Sequence, residues 1–124
     1  MLRVERIHAT YRRHGMHFVE RLLMPQERAA FEVRAATTEA RAVRFLALRF
    51  AAKEAIVKAL GTGFAHGMWI RDCGVVQNAW GRPDVVWSPR GLALKQSMNV
   101  GAGHVTLTDE GGLVVAVAVL ERAS

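Results

Sequence analysis

The chain has 124 residues, 51% of them hydrophobic, and carries 17 Lys and Arg against 11 Asp and Glu for a net charge of +6. The length suits one domain, expected over residues 1–124; no apolar run is long enough to span a membrane, and the opening MLRVERIHATYRR lacks the apolar core of a signal peptide. A soluble cytoplasmic protein is expected. Cys73 stands alone, which excludes an internal disulfide and a cysteine-based zinc site, and the positive charge favours an acidic partner such as nucleic acid, an anionic membrane, an acidic protein or a phosphorylated ligand.

In chain order, Val4, Ile7 and Tyr11 against Arg3, Arg6 and Arg13 read as an amphipathic helix from Val4 to His14 that Gly15 ends. A second helical piece runs from His17 to Leu23. Pro25 suits a first helical position, so PQERAAFEVRAA reads as a short helix before the polar Thr37-Thr38 connection. Residues 39–60 form the longest helix, whose apolar residues Val43, Phe45, Leu46, Leu48, Phe50, Ile56, Val57 and Leu60 cover far more than one stripe, which makes it central and largely buried. Beyond Gly63 the runs shorten: MWIRDCGVV as strand, NAWGRP as turn, DVVW as strand, GLALKQSM as helix, HVTLT as strand, DEGG as turn and LVVAVAVLE as an interior strand. The fold class is therefore α+β, with helices first and a mostly antiparallel sheet after them. The aromatic residues are scattered and form no alternating platform for stacking bases, which argues against a nucleic-acid module.

The stretch RFAAKEAIVKALGTG carries the chemistry. Glu54 and Lys58 are i,i+4 neighbours on the long helix, and Arg49 and Lys53 form a second such pair on another side. One reading of Glu54 and Lys58 is a simple ion pair. The other follows from burial, because a helix this apolar leaves a carboxylate little exposed surface, and a carboxylate removed from water needs a counter-charge or a metal. Mg²⁺ takes one or two protein carboxylates and completes its shell with water and phosphate oxygens, so a Glu beside a Lys describes half of a site for metal-held phosphate. Gly61 and Gly63 cap the helix and also allow a ligand close to the backbone.

The block FLALRFAAKEAIVKALGTGF resembles the signature of the holo-acyl-carrier-protein synthases, the small bacterial class of 4'-phosphopantetheinyl transferases. Flanking blocks follow in the family's order: VERIHATYRRHG and FVERLLMPQE resemble its opening helices, Gly81-Arg82-Pro83 its Gly-Lys-Pro turn, and His104-Val105-Thr106-Leu107-Thr108 its late strand. The resemblance implies transfer of the phosphopantetheine arm of coenzyme A to a serine of an acyl carrier protein, releasing 3',5'-ADP, with Mg²⁺ as cofactor. It makes Glu54 the metal ligand and Lys58 the phosphate-side lysine, with both as catalytic residues. Gly61, Thr62 and Gly63 match the loop along coenzyme A, and Arg49, Lys53 and His104 are candidates for contact with its phosphates or nucleotide. Arg6, Arg13 and Arg21 match the basic surface that meets an acidic carrier protein, and a homotrimer with sites shared between neighbouring subunits is implied.

Two departures stand out. The family's first strand carries a Gly-x-Asp whose Asp is a second metal carboxylate; the resemblance places Met1 immediately after it, so the first strand is expected to be short. A start assigned too far downstream, or trimming at the front, is the favoured explanation over loss of the aspartate, and the chain as written is expected to hold Mg²⁺ weakly. The alternative function is an impaired relative that binds coenzyme A or carrier protein without transfer. Asp109 as a replacement acid is weighed against a plain turn residue and read as the latter. Gly74 stands where the family often has an acid, and the sequence alone attaches no role to it.

Overall fold

The computed structural model describes residues 1–64 and 67–123. The elements run β1 (Leu2–Arg3), α1 (Val4–His14), α2 (Met16–Leu22), α3 (Pro25–Ala35), α4 (Glu39–Leu60), a 3-10 turn (Ile70–Asp72), β2 (Cys73–Gln77), β3 (Pro83–Trp87), α5 (Pro89–Ser97), β4 (Val100–Glu110) and β5 (Leu113–Arg122). The strands make one sheet in the order β1-β5-β4-β3-β2, antiparallel at every pairing. The α+β architecture expected from the pattern is the one observed.

Local chemistry sets the helix ends. The Thr38 side chain accepts the Arg41 N–H at 3.1 Å and caps α4. At the other end Gly61 adopts φ +83°, and the N–H groups of Gly61, Thr62 and Gly63 return to the carbonyls of Lys58 and Val57. Gly15 ends α1 with φ +55°. α5 starts at Pro89, earlier than expected, because Ser88 accepts the Gly91 N–H at 2.9 Å. Met68–Asp72 is not strand, contrary to the reading of MWIRDCGVV: the Asp72 carboxylate accepts the Trp69 N–H at 2.8 Å and winds a 3-10 turn, so β2 begins only at Cys73. Asp109 is likewise not a turn residue. It pairs with Val114 inside the β4–β5 ladder and lies 3.8 Å from Arg44, leaving Gly111 and Gly112, both at positive φ, to make the turn.

α4 joins two apolar clusters. Its first half packs Phe45 and Leu46 with Ile7, Val19, Leu22 and Phe31 of the other helices. Its second half packs Ile56 and Val57 onto Met68, Cys73, Val75 and Val105. Each fully buried large aliphatic side chain contributes roughly 1.5–3 kcal/mol. β5 lies between β1 and β4, but β1 covers only Leu113 and Val114. Its expected interior character holds for one face: Val114 is buried, whereas Val115, Val117 and Val119 on the other are exposed.

The charges buried in this helix are not the expected ones. Glu54 is half-buried and Lys58 exposed, and the two form no ion pair with each other. Lys53 is fully buried and Arg49 nearly so, both facing Glu27 of α3, which is also inside. The Lys53 ammonium sits 2.8 Å from Glu27 Oε1 and donates to the carbonyls of Ile70 and Cys73 at 3.1 and 2.9 Å, so its three N–H groups are spent. Glu27 also accepts the N–H of Met24 at 2.9 Å and that of Val75 at 3.0 Å. Burial pulls the Lys53 ammonium below its ordinary range, and Glu27 opposes that pull. Gly74 now has a reason: a Cβ there would meet the Glu27 carboxyl carbon and the Met24 sulfur, each at 2.7 Å.

Breaking this pair leaves the buried Glu27 carboxylate with only the more distant Arg49 as counter-charge, so Lys53→Met should lower the unfolding free energy by about 3 kcal/mol in urea titrations. Glu54→Gln, at the surface, should change it by under about 0.5 kcal/mol; equal effects would contradict the placement of the buried charge. Cys73 is fully buried and its thiol is pushed by burial from 9.0 to about 12. The folded protein should therefore leave a thiol-reactive dye unchanged at mildly alkaline pH and consume one equivalent only when unfolded.

Candidate active site

The expected site residues fall into two groups on α4. Arg41, Phe45, Leu48 and Arg49 share one face and line an open groove of about 1060 Å³ whose other walls are α3, the turn before β3, and β4. Glu54 lies five residues beyond Arg49, about 140° further round the helix at about 100° per residue, and Lys58 continues in the same direction. Neither lines the groove, nor do Gly61, Thr62 or Gly63.

The groove is strongly basic. Arg34, Arg41, Arg44, Arg49, Arg82 and His104 line it, against the single carboxylate of Asp84. Arg49 holds its guanidinium 4.3 Å from the Phe45 ring centre, with Nε 3.7 Å from Glu27 and without a hydrogen bond to a described residue. Burial lowers its pKa, Glu27 opposes the shift and Arg34 adds to it. Arg44 is steadied by Asp109. His104 stands opposite Asp84 of β3 and 3.4 Å from Glu121. Of the candidates for phosphate contact, Arg49 and His104 thus meet in one groove. Lys53 does not join them, because it is fully buried and has no N–H left to offer.

The second group is the C-terminal end of α4. Glu54 makes no ion pair or hydrogen bond with a described residue, and Lys58 is exposed beside it. Thr62 is buried in the following loop, and its hydroxyl has no hydrogen-bond partner among the described residues. No described residue comes within 4 Å of where a Cβ would stand on Gly61 or Gly63. Among the described residues no three His, Cys, Asp or Glu side chains gather as a metal site. Glu54 alone offers one ligand, which fits a Mg²⁺ completed by phosphate oxygens and water. Arg6 and Arg13, seven residues apart on α1, and Arg21 on α2 are all exposed.

The model of the 4'-phosphopantetheinyl transferase superfamily matches residues 3–118. The chain belongs to that superfamily. Within it, this transferase is 42% identical over 122 residues to the holo-[acyl-carrier-protein] synthase of Bordetella pertussis, covering 98% of this chain and 79% of that one. The crystal structure of the Neisseria meningitidis synthase superposes with a TM-score of 0.87 at 30% identity, over 98% of this chain and 93% of that one. The Bacillus anthracis synthase, solved in complex with CoA (3',5'-ADP), gives a TM-score of 0.76 at 27% identity, over 99% and 91%. The chain is thus an enzyme of the phosphopantetheinyl transferase class.

Sequence reasoning missed Glu27 and the groove arginines Arg34, Arg41 and Arg44. A Glu at the third position of a helix opened by Pro25 is a capping signal, and it pointed to the N–H of Met24 but not to Lys53. The arginines are spaced for solvent as well as for a ligand, and only the sheet facing them makes a groove.

Proposed function

We propose that the chain transfers the 4'-phosphopantetheine arm of coenzyme A to a serine hydroxyl of an apo-acyl carrier protein, at sites that two copies of the chain build together. The reading rests on one observation: the two halves of the expected site occupy different faces of α4, so the groove and the Glu54–Lys58 end meet one ligand only across a subunit boundary. Val115, Val117 and Val119 leave an exposed apolar row on β5 suited to another copy, and a homotrimer with three equivalent shared sites is the assembly we propose.

In this arrangement the serine oxygen attacks the phosphorus next to the pantetheine arm. The bond from that phosphorus to the bridging oxygen breaks, 3',5'-ADP leaves with the electron pair, and the serine proton passes to solvent water. The groove arginines and His104 of one copy hold the nucleotide phosphates. Lys58 of its neighbour faces the departing phosphate and stabilises the charge that develops there. Thr62 lies in the loop that runs along the same ligand, and Gly61 and Gly63 let it approach the backbone. Mg²⁺, held by Glu54 and the diphosphate, would neutralise charge on the diphosphate and lower the barrier to attack. Arg6, Arg13 and Arg21 present positive charge to an acidic carrier protein and speed its approach. Fatty acid synthesis in the cytoplasm is the setting that fits.

A second reading, binding of coenzyme A or carrier protein without transfer, is favoured by the absence, among the described residues, of three His, Cys, Asp or Glu side chains gathered at Glu54. Mass spectrometry of apo-carrier protein with coenzyme A and Mg²⁺ separates the two, run on this chain and on one extended at its front through Gly-x-Asp. Addition of the arm by either supports transfer, and binding without addition by both supports the second reading. Glu54→Gln and Lys58→Ala should each reduce transfer by about a hundredfold or more.

Sharing of the site is tested by mixing. A Glu54→Gln chain and an Arg41→Ala/His104→Ala chain, each inactive alone, should regain about one quarter of wild-type activity when refolded together, because that share of boundaries pairs two intact halves. No recovery would place both halves of each site in one chain.

A further inference from the structure

Trp80 is 93% exposed, the most exposed of the large apolar side chains. Its place in the fold owes nothing to its ring. The turn between β2 and β3 is closed by backbone and by Asn78: the Trp80 and Arg82 N–H groups donate to Asn78 Oδ1 at 2.9 and 3.1 Å, the Asn78 N–H to the Arg82 carbonyl at 2.8 Å, and the Gly81 N–H to the Asn78 carbonyl at 2.9 Å. Gly81 supplies the positive φ the turn requires. The other strongly exposed tryptophan, Trp69, lies against the Arg90 guanidinium, 4.0 Å from ring to carbon. No described residue makes an aromatic or cation contact of this kind with Trp80.

What lies beside Trp80 is the basic groove. The next residues in the chain, Gly81, Arg82, Pro83 and Asp84, line it, so Trp80 is adjacent in the chain to its rim. Five guanidinium groups and an imidazole in the lining call for a ligand of several negative charges, and an exposed tryptophan at the edge calls for one that also carries a flat aromatic face. A nucleotide bisphosphate meets both demands, and neither an inorganic anion nor a carboxylate peptide does.

Resting on the nucleotide reading of the groove, we propose that Trp80 determines specificity by stacking on the adenine of coenzyme A while the groove arginines hold its phosphates. The contact would distinguish coenzyme A from a phosphopantetheine donor without a base. Because it is made equally before and during transfer, it acts on substrate binding and leaves the chemical step alone.

The test is titration of the full-length protein with 3',5'-ADP and with ribose bisphosphate, which lacks the base, followed by tryptophan fluorescence and calorimetry. The expected result is saturable quenching by 3',5'-ADP that disappears in Trp80→Phe, whose affinity stays within about threefold of wild type. Trp80→Ala should bind 3',5'-ADP about tenfold more weakly and ribose bisphosphate unchanged, and in the transfer assay should raise KM for coenzyme A with kcat unaltered. Circular dichroism checks that the variants are folded. Equal affinity of Trp80→Ala and wild type for 3',5'-ADP, while Arg41→Ala weakens it, would overturn the stacking contact and leave the groove reading standing. An equal loss of ribose bisphosphate would overturn it too, by showing that the ring shapes the groove instead. Failure of the wild-type protein to bind 3',5'-ADP would overturn the groove reading and the stacking contact together.

Discussion

The Glu27–Lys53 pair ties the two halves of this molecule together. Four segments converge on it: the start of α3 through Met24, the middle of α4 through Lys53, the turn before β2 through the carbonyls of Ile70 and Cys73, and β2 itself through the Val75 N–H. Among the described residues, Arg49 Nε is a buried nitrogen of the knot that lies near Glu27 without a hydrogen bond. Such a knot adds little net stability over an apolar substitute of the same shape, but it permits one arrangement of its neighbours and penalises others. It fixes the rotation of α4 about its axis, and that rotation decides which residues face the groove and which face the far side.

The backbone was largely legible in the sequence. Gly15, Pro25 and the Gly61–Gly63 loop mark helix ends by conformational preference alone, and the bounds of α1 and α4 follow from them. The strands were found where β-branched residues run between turn signals. Two of the misread stretches share a cause, which is a side chain acting on the backbone: Asp72 accepts the Trp69 N–H and winds a 3-10 turn, and Ser88 starts α5 early. Those bonds depend on local geometry that hydropathy patterns do not carry.

The site was legible in part, and for a different reason. Periodicity tells which residues of α4 share a face but not which face the rest of the chain will cover. Two charged pairs at i,i+4 looked equivalent on that measure, and the partner that separates them, Glu27, lies on another helix. Burial therefore fell on Arg49 and Lys53, while Glu54 and Lys58 stayed at the surface, where they can meet a ligand. The argument from a dry environment does not hold for Glu54 and Lys58.

The two glycines between β4 and β5 set an order on the assembly of the sheet. Strands joined by so short a link lose little chain entropy on pairing, whereas Leu2 must find Val114 across nearly the whole polypeptide. The hairpin is thus the template on which the sheet is laid. The register of Leu2 with Val114 is the most widely separated of the described strand pairings, so its closure carries the largest loop cost.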